Sequence, residues 1–186
     1  WLIKTAGSRA SEWASVIADH YQEAEEVSMA AEWYRRAGEQ AQATYAPDTA
    51  IQYFQKALDM VSGARELTSN TAALRLEIYP ALGEMLRWRA RYEQAIQVFQ
   101  AMLSTASALE DRRKQAQAWL GLSHTQDSQG NYQAALMSAE QAERFAQAAG
   151  EFALPELAHA LFRKGWAHYR LGNGEASLAL GEQALA

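Results

Sequence analysis

The sequence predicts an all-α protein, an α-solenoid in which about nine helices stack as antiparallel hairpins. The segment Tyr92-Glu93-Gln94-Ala95-Ile96 is echoed 40 residues later by Tyr132-Gln133-Ala134-Ala135-Leu136, and more faintly after 42 more by Gly174-Glu175-Ala176-Ser177-Leu178. A period in this range is typical of stacked helix pairs. The composition agrees, because 49% of the residues are hydrophobic, only three are proline, and Val and Ile nowhere alternate as they would in strands.

The first four helices are predicted from apolar side chains at helical spacing, at about residues 11–24, 27–45, 47–62 and 70–89. Pro47 suits the first turn of the third helix, where its missing N–H costs little. The polar run Thr68-Ser69-Asn70-Thr71 offers N-capping side chains for the fourth. Pro80 lies inside the fourth helix, so we expect a kink or a restart near Ile78 and Tyr79.

The remaining helices are predicted from turn and capping residues. The fifth spans about 92–108, Asp111 caps a sixth that reaches about residue 128, and Gly130-Asn131 turns the chain into a seventh that Gly150 ends. Pro155 opens an eighth helix to Leu171, and the ninth follows Gly172-Asn173-Gly174. No linker is long enough to separate domains, so residues 1–186 are expected to form a single repeat domain.

Both ends of the sequence favour a segment excised from a larger protein. The chain begins at Trp1 rather than Met, and it stops at Gln183-Ala184-Leu185-Ala186 within a helical pattern that has no C-capping residue. We therefore expect the final repeat, at about 154–186, to be truncated. Two full repeats are expected at about 70–108 and 111–149, and compressed repeats at 11–62, where Ala30-Tyr34-Ala37 recurs as Ala50-Phe54-Ala57.

Charge and composition exclude several classes of function. A net charge of −5 argues against a general nucleic-acid binder, which needs a basic surface. The sequence has no cysteine, no apolar run of about 18 residues and no signal peptide, so a cytoplasmic protein without disulfides is expected. It also lacks the phosphate-binding, dinucleotide and zinc-protease motifs, and its four histidines are scattered. No enzymatic activity, metal or cofactor is therefore expected.

Two repeats resemble the tetratricopeptide repeat, whose pattern places an aromatic, Leu-Gly and small residues at fixed spacing. The residues that carry this resemblance are Tyr79, Leu82, Gly83, Ala90, Tyr92, Ala95, Ile96 and Phe99, and then Trp119, Leu122, Gly130, Tyr132, Ala135 and Ala142. The resemblance implies a right-handed superhelix that binds partners on its concave side. The Lys and Asn clamp of chaperone-binding members is missing, because its positions hold Pro80 and Glu84, or Leu120 and His124.

A narrower resemblance covers the first third of the chain. Ile17-Ala18-Asp19-His20-Tyr21, residues 30–41 and residues 50–58 are similar to the helical region that follows the nucleotide-binding core of large bacterial signalling ATPases. This resemblance implies a regulatory arm of a multidomain protein that often carries a cyclase, kinase or DNA-binding domain. Two functions follow from it. One is an interaction scaffold for a peptide, a protein or other domains of the parent, and the other is an effector-sensing arm that binds a small ligand and regulates an upstream ATPase or cyclase.

The first helix of each repeat is expected to line the partner-binding groove. The candidate residues are Glu77, Glu84, Arg87, Trp88, Gln117, Leu120, His124, Asp127, His159, Phe162, Arg163, Trp166, Tyr169 and Arg170. The last five form an aromatic and cationic cluster that could hold an acidic or aromatic peptide. The alternative is that Phe162 and Trp166 pack under the missing part of the next repeat.

Other aromatic side chains are expected to be structural. Most of Trp13, Trp33, Trp119, Tyr92 and Tyr132 fall on helical stripes that predict core positions. The final helix presents Leu178, Leu180 and Leu185, through which we expect the chain to self-associate.

Overall fold

The structure is a computed structural model that describes residues 13–62 and 69–185. Within those ranges the chain is helical and holds no strand. The helices there are α1 (Ala14–Glu23), α2 (Val27–Ala43), α3 (Pro47–Ser62), α4 (Ser69–Trp88), α5 (Tyr92–Ala108), α6 (Arg112–Ser128), α7 (Tyr132–Ala149), α8 (Leu154–Arg170) and α9 (Gly174–Leu185). The predicted all-α class, with stacked helix hairpins, is confirmed.

The chain divides into two compact units, residues 1–90 and residues 91–186. In the first unit α1 packs against α2, α2 against α3 and α3 against α4, and α2 also contacts α4. In the second unit the same nearest-neighbour packing links α5 to α9, and α6 also contacts α8. A 3₁₀ turn at Gly150–Ala153 joins α7 to α8. Short turns between neighbours that pack together make the successive helices antiparallel.

Six of the turns have the same geometry. In each of them, the second residue after the last helical residue is in the left-handed conformation; these residues are Glu25, Tyr45, Ala90, Glu110, Gly130 and Gly172. After α6, the N–H of Asn131 donates to the carbonyl of Gln126 and the N–H of Gly130 donates to that of Asp127. This pair of hydrogen bonds is the Schellman motif, which satisfies carbonyls at a helix end.

Helix α4 differs from the expectation at Pro80, because it continues through the proline as one helix. The expected restart near Ile78 and Tyr79 is therefore wrong, and the expected kink stays a prediction. Ile78 and Leu82 are both buried, at 0% and 2% exposure. Their burial stabilises the helical course on each side of the proline and offsets the hydrogen bond that Pro80 cannot make.

Only part of the expected aromatic core is observed. Trp33 is buried, whereas Tyr92, Trp119 and Tyr132 are half-buried. Trp13 is wrong as a core residue, because its side chain is 48% exposed. It is the N-cap residue of α1 and so precedes the stripe that faces α2. The expected start of the first helix, at residue 11, and Thr68, the first residue of the expected capping run, lie outside the described residues.

Candidate functional site

Helices α6 and α8 are joined by a buried ion pair. The Nη2 atom of Arg163 lies 3.4 Å from Oδ2 of Asp127 and donates to the Ser123 carbonyl at 3.3 Å. The indole N–H of Trp166 donates to the same carboxylate oxygen at 3.2 Å. Arg163 is only 6% exposed, so two of the candidate groove residues, Arg163 and Asp127, hold the two helices together instead of lying on the open surface.

Arg170 lies on the open surface at the end of α8, beside two aromatic rings. Its guanidinium carbon is 4.2 Å from the centre of the Tyr132 ring and 6.0 Å from that of Trp166, and it also donates to the Tyr132 hydroxyl. The Trp166 and Tyr169 rings are 5.6 Å apart. We call Arg170, Tyr132 and Trp166 the Arg170 cluster. Stacking on aromatic faces holds a guanidinium in one orientation and leaves its donors directed outward.

Glu156, in the first turn of α8, is a buried carboxylate that the sequence did not single out. Its Oε1 accepts hydrogen bonds from Arg113 Nε at 2.9 Å and from Gln117 Nε2 at 2.6 Å. Burial opposes its charge, but these donors outweigh burial, and the pKa of Glu156 is lowered. Gln117, another candidate groove residue, thus helps to fasten α6 to α8.

The two histidines among the candidates differ in exposure. His124 is half-buried on α6, and His159 is exposed on α8. Among the residues that the structure describes, no three His, Asp or Glu side chains come together as a metal site would require.

The candidates of the first unit lie on α4. Arg87 donates from Nη2 to Glu84 Oε2 at 2.6 Å, and Trp88 is 53% exposed. Glu77 lies 3.8 Å from the guanidinium of Arg35 on α2. The candidates from residues 77–88 and those from residues 117–170 thus belong to different units.

Arg35 is the centre of a charge network in the first unit. Its Nε and Nη2 atoms both donate to Glu32, each at 2.9 Å, and its Nη1 donates to Glu39. The hydrogen bonds from Arg35 lower the pKa of Glu32, and those to Glu32 raise the pKa of Arg35. Such a bidentate contact fixes both side chains on the face of α2.

A polar cleft of about 510 Å³ opens between α1, α2 and α3. Tyr34 lies at its wall, and its hydroxyl is 2.5 Å from Asp19 Oδ1 and 2.6 Å from Gln22 Oε1. The Nζ atom of Lys56 lies 5.0 Å from the centre of the Tyr34 ring, and Asp59 also lines the cleft. Burial, followed by the hydrogen bond to Asp19, raises the pKa of Tyr34 well above its ordinary value. None of the sequence motifs indicated this cleft.

Helix hairpins that repeat at a constant interval define a helical-repeat protein of the α-solenoid class. Residues 72–148 match the family model of the tetratricopeptide repeat. This match supports tetratricopeptide repeats in that part of the chain, where the residues quoted from the sequence predicted them. The family that matches is a helical repeat and not a catalytic one. A comparison with curated proteins finds no match.

Solved structures share the fold at low sequence identity. BtubC from P. vanneervenii is 16% identical with a TM-score of 0.73, over 98% of this chain and 82% of that one. The apo form of RapI is 13% identical with a TM-score of 0.71, over 94% and 69%. Aspartyl phosphate phosphatase F from Bacillus subtilis is 16% identical with a TM-score of 0.74, over 96% and 50%. These likenesses support the fold.

None of the described helices is both long and apolar enough to cross a bilayer.

Proposed function

We propose that this chain is a protein-interaction module that binds a partner peptide at the Arg170 cluster. The observation that carries the proposal is the exposed guanidinium of Arg170, held against the Tyr132 ring and beside Trp166. Helical repeats use extended surfaces of this kind for binding rather than for catalysis. No reaction is part of the proposal.

The chemistry of the cluster favours an acidic partner with an aromatic or apolar neighbour. Arg163 is already paired with Asp127, whereas the Arg170 side chain is exposed. A carboxylate accepts two parallel hydrogen bonds from such a guanidinium. The exposed faces of Trp166 and Tyr169 then offer contact area to a flat or apolar side chain.

The test is a fluorescent peptide with alternating Glu and Trp residues, titrated into the protein. Arg170→Gln and Trp166→Ala should each weaken binding by about tenfold while the helical content stays unchanged. Arg144→Gln is the matched control, because Arg144 is exposed on α7, outside the cluster. A peptide with Lys in place of Glu should not bind. Equal binding by Arg170→Gln and wild type would refute the proposal, and so would a loss of fold in Trp166→Ala, which would make that indole a core residue.

The candidates of the first unit are proposed as a contact surface of their own. Glu77, Glu84, Arg87 and Trp88 lie on α4, and Trp88, the aromatic residue among these four, is 53% exposed. Trp88→Ala should weaken binding of a peptide to this helix. Titration of the Glu and Trp peptide into wild type and Trp88→Ala tests this, and equal binding would contradict it.

The polar cleft in the first unit favours a second candidate function, an effector-sensing arm. Its volume of about 510 Å³ falls within the roughly 300–1,000 Å³ of small-molecule sites. Asp19, Lys56 and Asp59 offer both signs of charge to a polar metabolite. A metabolite that raises the melting temperature of the wild type, but not of Lys56→Ala, would favour sensing. Stabilisation by the acidic peptide alone would favour the interaction module.

The wider context is also part of the proposal. The resemblance of residues 17–58 to the helical arms of bacterial signalling ATPases supports a regulatory role in a multidomain, cytoplasmic protein. Other domains of that parent are then partners, alongside separate proteins. Co-purification of this chain with the rest of its parent, expressed as a separate polypeptide, tests the intramolecular role.

Self-association through α9 remains a prediction. Leu178 is 74% exposed and Leu180 is half-buried, while the Leu185 side chain lies outside the described part of the chain. An exposed leucine on a terminal helix can pack against a second copy. Light scattering of wild type and Leu178→Ser at rising concentration measures this, and a strictly monomeric wild type contradicts it.

A further inference from the structure

The polar cleft of the first unit has one wall on α1 and one on α3, with α2 between them. Its lining residues are Asp19, Gln22 and Glu23 on α1, Tyr34 on α2, and Lys56, Asp59 and Met60 on α3. The spacing on both walls is i, i+3 and i+4, so each wall is one face of its helix. Because α1 and α3 each run antiparallel to α2, the two walls run in the same direction.

The first end of the polar cleft is formed by Asp19, Lys56 and Tyr34. The Nζ atom of Lys56 lies 4.0 Å from Oδ1 of Asp19, and the Tyr34 hydroxyl lies 2.5 Å from the same oxygen. Tyr34 is only 1% exposed, so its hydroxyl is a rigid support for this carboxylate. Both contacts use Oδ1, which leaves Oδ2 of Asp19 for a donor on a ligand.

The second end of the polar cleft is acidic. Glu23 follows Asp19 by four residues on α1, and Asp59 follows Lys56 by three on α3. Both carboxylates therefore line the cleft about one helical turn further on, at roughly 5 Å along the walls. Glu23 also lies 3.6 Å from His20, but both side chains are exposed, and such a contact contributes little. Two carboxylates on opposite walls favour a positive charge between them.

The charges of the lining restrict the class of ligand. Three carboxylates and one ammonium group line the polar cleft. A purely anionic metabolite would meet three like charges, and a purely cationic one would meet Lys56 at the first end. Electrostatic complementarity therefore favours a ligand with one anionic group for Lys56 and two cationic groups, one for Asp19 and one for the second end.

We propose that the polar cleft binds a free basic α-amino acid, lysine or arginine. Its α-carboxylate pairs with Lys56 and its α-ammonium group with Asp19. Its side-chain cation lies between Glu23 and Asp59, because a four-carbon stem reaches across about one helical turn. This inference rests on the proposed effector-sensing function and names the class of effector.

The test is a calorimetric titration of lysine into the protein at constant ionic strength, with three analogues that each lack one charge. Norleucine lacks the side-chain cation, lysine amide lacks the carboxylate, and Nα-acetyllysine lacks the α-ammonium group. Each analogue should bind about tenfold more weakly than lysine, because each loses one charge pair. Lysine amide also stands for the N-terminus of a peptide, which has no carboxylate at this place.

Two variants assign the contacts to the two ends of the polar cleft. Asp59→Asn should weaken lysine by about tenfold and leave norleucine unchanged, since norleucine brings no charge to the second end. Lys56→Ala should weaken lysine but not lysine amide, which has no carboxylate to lose a partner. Asp48→Asn is the matched control, because Asp48 lies in the first turn of α3, outside the lining. It should bind lysine as the wild type does, and circular dichroism should show the same helical content in all variants.

The outcomes separate this inference from the function on which it rests. Equal binding of lysine to Asp59→Asn and wild type would overturn the inference, and so would norleucine or lysine amide that binds as tightly as lysine. If lysine and arginine do not bind but another metabolite stabilises the wild type and not Lys56→Ala, the ligand class is wrong and effector sensing stands. Binding of lysine with the expected losses supports the ligand class on this chain alone, whether or not the ligand regulates a parent protein.

Discussion

The backbone of Gly121 on α6 lies against the ring of Phe99 on α5. A Cβ built on Gly121 would stand 2.5 Å from Cζ of that ring and closer still to two of its other carbons. Phe99 is only 2% exposed, so the ring cannot move aside into solvent. The first unit has the same arrangement, where a Cβ on Gly38 would lie 2.6 Å from the Phe54 ring. A glycine that admits a phenylalanine ring between crossing helices is thus found in each unit.

Gly121→Ala should therefore destabilise the protein although alanine is the better helix former. The added methyl group forces the Phe99 ring out of its packed position, and such overpacking costs about 1–3 kcal/mol. Urea denaturation should show a lower midpoint with an unchanged slope. Phe99→Leu should recover part of the loss in the double variant, because the smaller side chain leaves room for the methyl group.

Gly181→Ala is the matched control for this prediction. It is also a helical glycine, but a Cβ there meets nothing within 4 Å. Alanine should stabilise this position by about 0.5–1 kcal/mol, since only the helix preference changes. The crossing contact would be refuted as the cause if both variants shifted the free energy of unfolding in the same direction.

The repeated turns predict a pair of opposite effects. Glu110 and Gly130 occupy the same place after α5 and α6, and both are left-handed, at φ +54° and φ +84°. Gly130→Ala should cost about 1 kcal/mol, because a side chain strains this conformation. Glu110→Gly should gain about 0.5–1 kcal/mol by relieving the same strain. Thermal unfolding of the two variants measures both, and a loss of stability in Glu110→Gly would contradict the turn geometry.

Glu156 predicts how stability depends on pH. Its pKa is lowered in the folded protein, so its contribution is complete above the ordinary carboxyl value of 4.5 and is lost as pH falls through the lowered folded value. Glu156→Gln should cost about 1–2 kcal/mol at neutral pH, because Arg113 and Gln117 lose their charged acceptor. As the pH falls below 4.5, the difference between variant and wild type should shrink.

The measurement is the free energy of unfolding between about pH 7 and about pH 3, for wild type and variant. Glu140→Gln serves as control, because Glu140 is an exposed glutamate on the neighbouring α7. It should have little effect at any pH in this range. A Glu156→Gln difference that stays constant as the solution is acidified would contradict the role assigned to its charge.

The sequence predicted what local chemistry determines. The start of α6 follows its capping residue Asp111, the start of α7 follows Gly130 and its capping residue Asn131, and the end of α7 follows Gly150, all of which act within a few residues. The sequence did not predict the features that contacts between distant residues determine. Helix α4 continues through Pro80, because the buried side chains of Ile78 and Leu82 stabilise it on both sides. Arg163 looked like a surface cation because a sequence pattern cannot show that a carboxylate on another helix meets it.

The Asp127–Arg163 pair yields the last prediction. Asp127→Asn should destabilise the protein by about 2–4 kcal/mol, because it leaves the buried Arg163 charge without its carboxylate. Arg163→Met alone leaves Asp127 without its cation but should cost less, since that carboxylate keeps the indole donor of Trp166 and the Met side chain fills the space. In the double variant the two losses should not add, and the coupling energy measures the pair. Trp166→Phe removes only the indole donor to Asp127, and it should cost under about 1 kcal/mol. If the Asp127 and Arg163 losses add, the two side chains contribute independently and the pair does not hold α6 to α8.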